Sequence, residues 1–554
     1  MTICGWKLIT LSGEQSVILF NRSTIFYAIL LGSIMLLPGC AKVGPDYIHP
    51  KTDVSKTWLE EKDGRVRTSP AEYRAWWEVF DDPILNSIIE RAYRENLTLR
   101  IAGVRVLEAR AQLGVAVGNL YPQTQQASGS VTYNRLSEKE LFAGLGQTFG
   151  VPGGGSSFSF SYWQDQVNAN AIWEIDFWGK FRRAIESADA SLLMSVADYD
   201  SALVSLTADA ARFYIQIRTL QKRLEIARQN VETQKESLEI ALTRYKGGVS
   251  SERDVEQAKT VLFNTRATVP LLQAQLRQAQ NGLCVLLAIP PTNLDDILGD
   301  DKTIPAPPPY VAVGIPADLL RRRPDVRSAE LKAESQSALI GVAKADLYPS
   351  FSLTGSFGFL ATSNGSSKLT DMFGWSARTA TAGPSIQWNF LNYGRITNNV
   401  RVQDARFQEL LITYQHTVLQ AQQEVEDSLA GFLRAQENAE YLAQSAKSAK
   451  RSLDLATIQY QQGVTDFTTV LVAQQALLTA QDNFASALGS ISSNLVGVYR
   501  SLGGGWEIRS GQDIVPPEIK EAMAKRTNWG KLLTHTIYPV ENVKPVSEIR
   551  FPDW

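Results

Sequence analysis

Cysteine and histidine are nearly absent, three of each in 554 residues. His49, His416 and His535 lie far apart, and no Cys/His cluster has metal-ligand spacing, so no metal or other cofactor is expected. Charge of one sign is missing as well: 55 basic side chains stand against 57 acidic ones. That balance leaves no field to hold nucleic-acid phosphates and excludes a nucleic-acid partner. Glycine and proline are few for the length. Only one apolar run is long enough to consider as a membrane span, Ile25 to Leu37, and it falls short of a bilayer. Catalytic signatures are lacking too. The run from Gly150 to Gly155 has no Lys-Ser/Thr after it, as a phosphate loop requires, and it precedes a strand pattern. Arg321-Arg322-Arg323-Pro324 reads as a helix start, with Asp325 within reach of one arginine. No enzyme is expected.

What is present begins with a leader. Lys7 and Arg22 precede the apolar run, and Leu37-Pro38-Gly39-Cys40 closes it, an arrangement that resembles a bacterial lipobox. Residues 1–39 are then a signal peptide and Cys40 is the acylated first residue of the mature chain. The alternative is an ordinary cleaved signal with a chance cysteine. Ala41, rather than an acidic residue, after the cysteine points to the outer membrane. With Cys40 acylated only Cys284 remains, so no disulfide can form within the chain.

The rest of the chain is a duplication. Gly114-Val115-Ala116 and Leu120-Tyr121-Pro122 return as Gly341-Val342-Ala343 and Leu347-Tyr348-Pro349, an offset of 227. Asp176-Phe177 and Gly179-Lys180 return as Asn389-Phe390 and Gly394-Arg395. Tyr245-Lys246-Gly247-Gly248-Val249 returns as Tyr460-Gln461-Gln462-Gly463-Val464, an offset of 215. Each copy contains one very long helical pattern: residues 180–246 have no Gly or Pro, and 395–462 have only Gly431. Each would be about 100 Å long. Shorter helical patterns at 251–289 and 467–502, and others near 81–120 and 318–347, would match the long ones if stacked end to end. A kink is expected at Pro270. Rods of this length must pack sideways on neighbours.

Between the helices the period changes to two. Val167, Ala169, Ala171, Trp173, Ile175 and Phe177 alternate with polar residues, Ile172 excepted. Ala380, Ala382, Pro384, Ile386, Trp388 and Phe390 do the same in the second copy, as do Phe351, Leu353, Phe357 and Phe359. A weaker strand runs near Ser128–Asn134, its partner continuing through Phe158, Phe160 and Tyr162. Such alternation over about ten residues is the pattern of an outer-membrane barrel, with Trp173, Trp178, Trp388 and Tyr393 near the strand ends. Four strands cannot close a barrel. Several chains must therefore share one.

These features resemble the TolC-like outer-membrane efflux factors, in the lipoprotein branch that serves resistance-nodulation-division pumps. The resemblance rests on Val43-Gly44-Pro45-Asp46-Tyr47, Trp76-Trp77-Glu78-Val79-Phe80-Asp81-Asp82-Pro83, Trp173 through Lys180, Ile315 through Arg327, and Leu502-Gly503-Gly504-Gly505-Trp506. It implies a mixed α and β fold, a homotrimer with a 12-stranded β-barrel and a 12-helix periplasmic tunnel. Its partners would be outer-membrane lipid, a periplasmic membrane-fusion adaptor protein and an inner-membrane RND-type pump. The organisation expected is a lipidated segment over 40–80, a first repeat over 81–300, a second over 301–506 and a periplasmic tail over 507–554. The loops near 135–156 and 360–375 would face outside.

On the same resemblance the two glycine turns are the periplasmic tips and carry the gate. Tyr245, Gly248, Glu252 and Asp254 belong to the first, and Tyr460, Gly463, Asp466, Thr469 and Val472 to the second. Family members often place aspartates just past the second turn, where this chain has Thr469 and Val472. Glu252, Asp254 and Glu256 could supply negative charge instead, or form an exposed helix face. Val472 offers an apolar constriction. The function implied is a passive exit duct for small molecules or ions. The alternatives are a duct for secreted polypeptides and a lipid-anchored coiled-coil tether, and the lipid-facing strands argue against the tether.

Overall fold

The computed structural model describes residues 42–68, 73–135, 161–314, 316, 322–363, 369–534 and 536–538. Cys40, Phe158, Phe160 and most of the expected outer loops lie outside them. So do Ile315, residues 317–321 and Trp554.

Two helices of 67 residues dominate, α3 (Lys180–Lys246) and α6 (Arg395–Gln461). Their limits follow the glycines: Gly179 and Gly394 precede them with φ of 75° and 82°, and glycine turns follow. Each is followed by a 35-residue helix, α4 (Glu252–Leu286) and α7 (Phe467–Ser501). The remaining rods are α1 (Pro83–Glu95), α2 (Leu97–Gly118) and α5 (Pro324–Ala345), with a short α8 (Pro517–Arg526) in the tail. The helical pattern over 81–120 is therefore two helices, not one. Asn96, at ψ 125°, breaks the first and caps the second by accepting from Leu99 N. α4 runs unbroken through Pro270, whose ring is exposed.

The end-to-end rods are made by two joints. Asn96 Nδ2 donates to the carbonyl of Leu286, the last residue of α4, at 2.9 Å. Arg323, just before α5, donates to the carbonyl of Ser501, the last residue of α7, at 2.7 Å. Asn96 and Arg323 differ by the offset of 227, and Leu286 and Ser501 by that of 215. Both copies thus close an orphan helix-end carbonyl at the same place.

A four-stranded antiparallel sheet continues from the other end: β2 (Thr124–Arg135), β3 (Ser161–Ile175), β5 (Ser350–Thr362) and β6 (Arg378–Gln387), in that order. Its register aligns like with like. Ala127, Ala169, Phe357 and Ala380 form one row, and Ile175, Phe351 and Ile386 another. Gln126, Asn170, Ser356 and Thr381 form a row on the opposite, polar face. Every strand has the nine or more residues that a tilted transmembrane strand needs. Trp173 Nε1 donates to Leu120 O at 3.1 Å and Trp388 Nε1 to Leu347 O at 3.0 Å, so repeat-related indoles tie the sheet to the turns below it.

The main core lies around mid-height of α3, where α1 and the Trp76–Phe80 turn pack. Here Asp82 caps α1 through Ile84 N and Leu85 N and accepts from Tyr214 at 2.7 Å, while Pro83 opens the helix. The segment after Trp506 is held by a buried ion pair, Arg509 to Asp200, and by Ile514 and Val515 in the core. Arg110 adds a bond to Leu532 O at 3.1 Å. A small parallel pair, β1 (Val66–Arg67) and β4 (Val311–Ala312), went unread in the sequence.

Residues 42–67 form a strap. Val43 N bonds to Trp178 O at 3.0 Å, and Arg183 donates to Val43 O, Gly44 O and Asp46. Further along, Ser55 N meets Gln422, Leu59 N meets Glu426, and Arg65 meets Leu433 O and Glu437. These contacts advance steadily down α6.

Candidate tip and gate

The two hairpin ends share a core of their own, separate from the main one. It takes Ala241 from α3, Val255, Ala258 and Val261 from α4, Leu453, Ala456 and Tyr460 from α6, and Phe467, Val470 and Leu471 from α7. Each turn is built alike. Gly248 and Gly463 take φ of 76° and 77°, a left-handed conformation that favours glycine, and bond to Tyr245 O and Tyr460 O. Val249 N and Val464 N then return to Arg244 O and Gln459 O, both at 2.9 Å.

The helices that follow start with the same two positions in exchanged chemistry. In the first copy Ser251 Oγ donates to Asp254 at 3.0 Å. In the second, Asp466 accepts from Thr469 N at 3.2 Å and from Thr469 Oγ1 at 2.8 Å. Hydroxyl and carboxylate have traded places across the repeat. The hydrogen bonds from the Thr469 hydroxyl and then its backbone N–H hold the Asp466 carboxyl below the usual carboxylate range. This carboxylate is committed to capping.

Arg244 joins the hairpins. It donates to the carbonyl of Tyr460 and lies over the Tyr460 ring, 4.4 Å from its centroid. The ring also meets Phe467, with centroids 5.0 Å apart, and burial pushes the Tyr460 phenol up. Arg244 and Phe467 are not among the residues singled out from sequence. The apolar period of α7 carried a signal for Phe467, and Arg244 gave none beyond its place before Tyr245.

The other expected tip residues stay outside this contact. Tyr245 is 42% exposed and Val472 is 60% exposed. Glu252 is exposed, and Glu256 is paired with Lys259 at 2.6 Å. The tip is thus clasped across its hairpins by Arg244 on Tyr460, with Val249, Val464 and Val472 exposed around it.

Comparison with known proteins agrees with this architecture and with the duplication. The family model described as "Outer membrane efflux protein" matches residues 88–288 and again 315–504. The toluene efflux pump outer membrane protein TtgI of Pseudomonas putida is 30% identical over 496 residues, covering 87% of this chain and 99% of that one. The pyoverdine export outer membrane protein OpmQ of Pseudomonas aeruginosa is 29% identical over 480 residues, 86% of this chain and 96% of its own. Among solved structures, the outer-membrane channel OprN superposes with a TM-score of 0.75 at 32% identity, covering 84% of this chain and 99% of that one.

Proposed function

Because this chain belongs to the outer membrane efflux protein family, we infer that it works as a threefold exit duct. It is an outer-membrane efflux channel component with a TolC-like fold. Three copies each give four strands to a 12-stranded barrel and their rods to a 12-helix tunnel in the periplasm. The observation that carries this reading is the sheet itself: two-faced, with β2 and β6 at its edges. In lipid, unpaired edge groups cost several kcal/mol each, so the edges must meet on neighbouring copies.

The duct performs no chemical step. A periplasmic membrane-fusion adaptor engages the tips and an inner-membrane RND-type pump drives the cargo. The names of TtgI and OpmQ give toluene efflux and pyoverdine export, and organic solutes are the cargo class this duct is taken to carry. The strap supports acylation of Cys40: Lys42 packs against Gly179, beside the strand-end Trp178. At the tips, opening requires release of the Arg244–Tyr460 clasp, and Val472 narrows the closed aperture by dewetting.

Electron-microscope class averages of the detergent-extracted protein test the assembly. Threefold particles with a hollow trunk of about 100 Å are expected. Solid rods or unclosed monomers would overturn the duct. Labelling with radioactive palmitate, lost in Cys40→Ala, tests the anchor.

A further inference from the structure

Away from the tips, α3 is gripped between α4 and α7. At Gly489 an added Cβ would sit 2.1 Å from Thr219 Oγ1, and at Gly282 one would sit 2.5 Å from the Phe213 ring. Both flanking helices therefore press close onto α3, leaving between them a groove of about 680 Å³. Its floor is Arg212, Gln216, Thr219 and Arg223, spaced 4, 3 and 4 residues apart along one face of α3. Gln275 and Gln278 line one wall, and Ser486, Ser490 and Ser493 the other.

The opposite face of α3, with Tyr214, Ile215 and Arg218, is buried in the main core. In a tubular wall that core is on the outside, so the polar groove faces the bore. Its walls come from this chain alone, and no neighbouring copy is needed to build it.

The charges within it do not balance. Arg223 is held by Asp482 through two bonds of 2.7 and 2.9 Å. Above, Arg500 reaches Asp209 at 3.4 Å. Arg212 is exposed and has no hydrogen bond or ion pair among the described residues. Its guanidinium, with five donors, is thus left free in a groove whose other polar groups are amides, hydroxyls and the Asp482-bound Arg223.

We propose that this groove is a solute-contact site inside the tunnel, where Arg212 binds the carboxylate of small organic acids and the amides and hydroxyls hold their other oxygens. It rests on the threefold-duct reading and adds what the bore favours: three free guanidinium groups at one height make it attract anions. The groove is large enough for a small organic ligand. Contact there is transient, because the groove is open along its length.

Citrate is the probe. With the purified full-length protein in planar bilayers, citrate should block the current, and the block should weaken from 0.1 M to 1 M KCl as the screening length falls from about 10 to about 3 Å. Arg212→Gln should raise the half-blocking concentration about tenfold, the scale of one charge-assisted contact, and shift the pore's ion preference away from chloride. Arg212→Lys should fall between. A pore in which Arg212→Gln is blocked like the wild type would overturn the groove and leave the duct standing. A protein that forms no pore would overturn the duct, and with it the groove's place in the bore.

Discussion

Arg323 Nη1 donates to the carbonyl oxygen of Ser501 at 2.7 Å, fastening the start of one helix to the end of another. The same guanidinium grips Asp325 at 3.1 and 2.7 Å and Glu424 at 2.7 Å, and it is 7% exposed. Burial pulls its pKa down, and the bonds to Asp325 and Glu424 more than offset this and raise it.

Removing this joint should cost more than removing its counterpart. Arg323→Ala strands the Ser501 carbonyl and removes a buried guanidinium with its packing and two ion pairs, a loss of about 2–4 kcal/mol. Asn96→Ala loses a cap and one donor, about 1–2 kcal/mol. Arg323→Lys should recover little, since an ammonium lacks the planar fork. Thermal unfolding of the detergent-solubilised protein should give that order.

The tip clasp uses the ring and carbonyl of Tyr460. Arg244→Ala and Tyr460→Ala should therefore raise leak current through the closed channel, while Tyr460→Phe should leave it near the wild-type level. Val472→Ala should raise leak as well; unchanged conductance would count against the apolar constriction. Single-channel recording reads all four.

Close approach of α7 to α3 leaves no room at Gly489. Gly489→Ala should destabilise by about 1–3 kcal/mol through overpacking, and adding Thr219→Ala should return part of it by removing the nearest atoms. If the pair of changes is simply additive in a double-mutant cycle, the contact is not the cause.

One carboxyl gives a pH signature. Burial, then the nearby Glu330, Asp189 and Glu186, push the Glu334 carboxyl up. A raised carboxyl costs the folded state most when both states are ionised, and nothing below the unfolded pKa of about 4.3. Glu334→Gln should thus raise the Tm at pH 7.5, and the gain should vanish by pH 4. An equal gain at both values would assign the effect to something other than charge.

Much of this was legible in the chain. The limits of α3 could be read residue by residue, because glycines stand at both ends and neither Gly nor Pro occurs within. The sheet faces were legible because period two survives in Val167–Ile175, and Asp325 meets an arginine as expected. The joints were not. Asn96 and Arg323 hold equivalent places with unrelated side chains, so nothing in residue type links them. The tip was half legible: glycines marked the turns, while the Ser251–Asp254 and Asp466–Thr469 exchange hides equivalence by swapping donor and acceptor. Arg244 was missed because a lone arginine near a helix end reads as solvated.

The paired joints also determine where the molecule can grow. Each short rod is spliced from two pieces, and the chain leaves the splice after Leu286 and again after Ser501. In the first copy it returns to start α5 only at Pro324, having laid down β4 on the way; in the second it runs on into α8 and the tail. An insertion at either exit widens the girdle and leaves the spliced length untouched. Residues added within α3 or α6 would lengthen one stave of a cask and not its neighbours. Relatives should therefore differ in girth far more readily than in height.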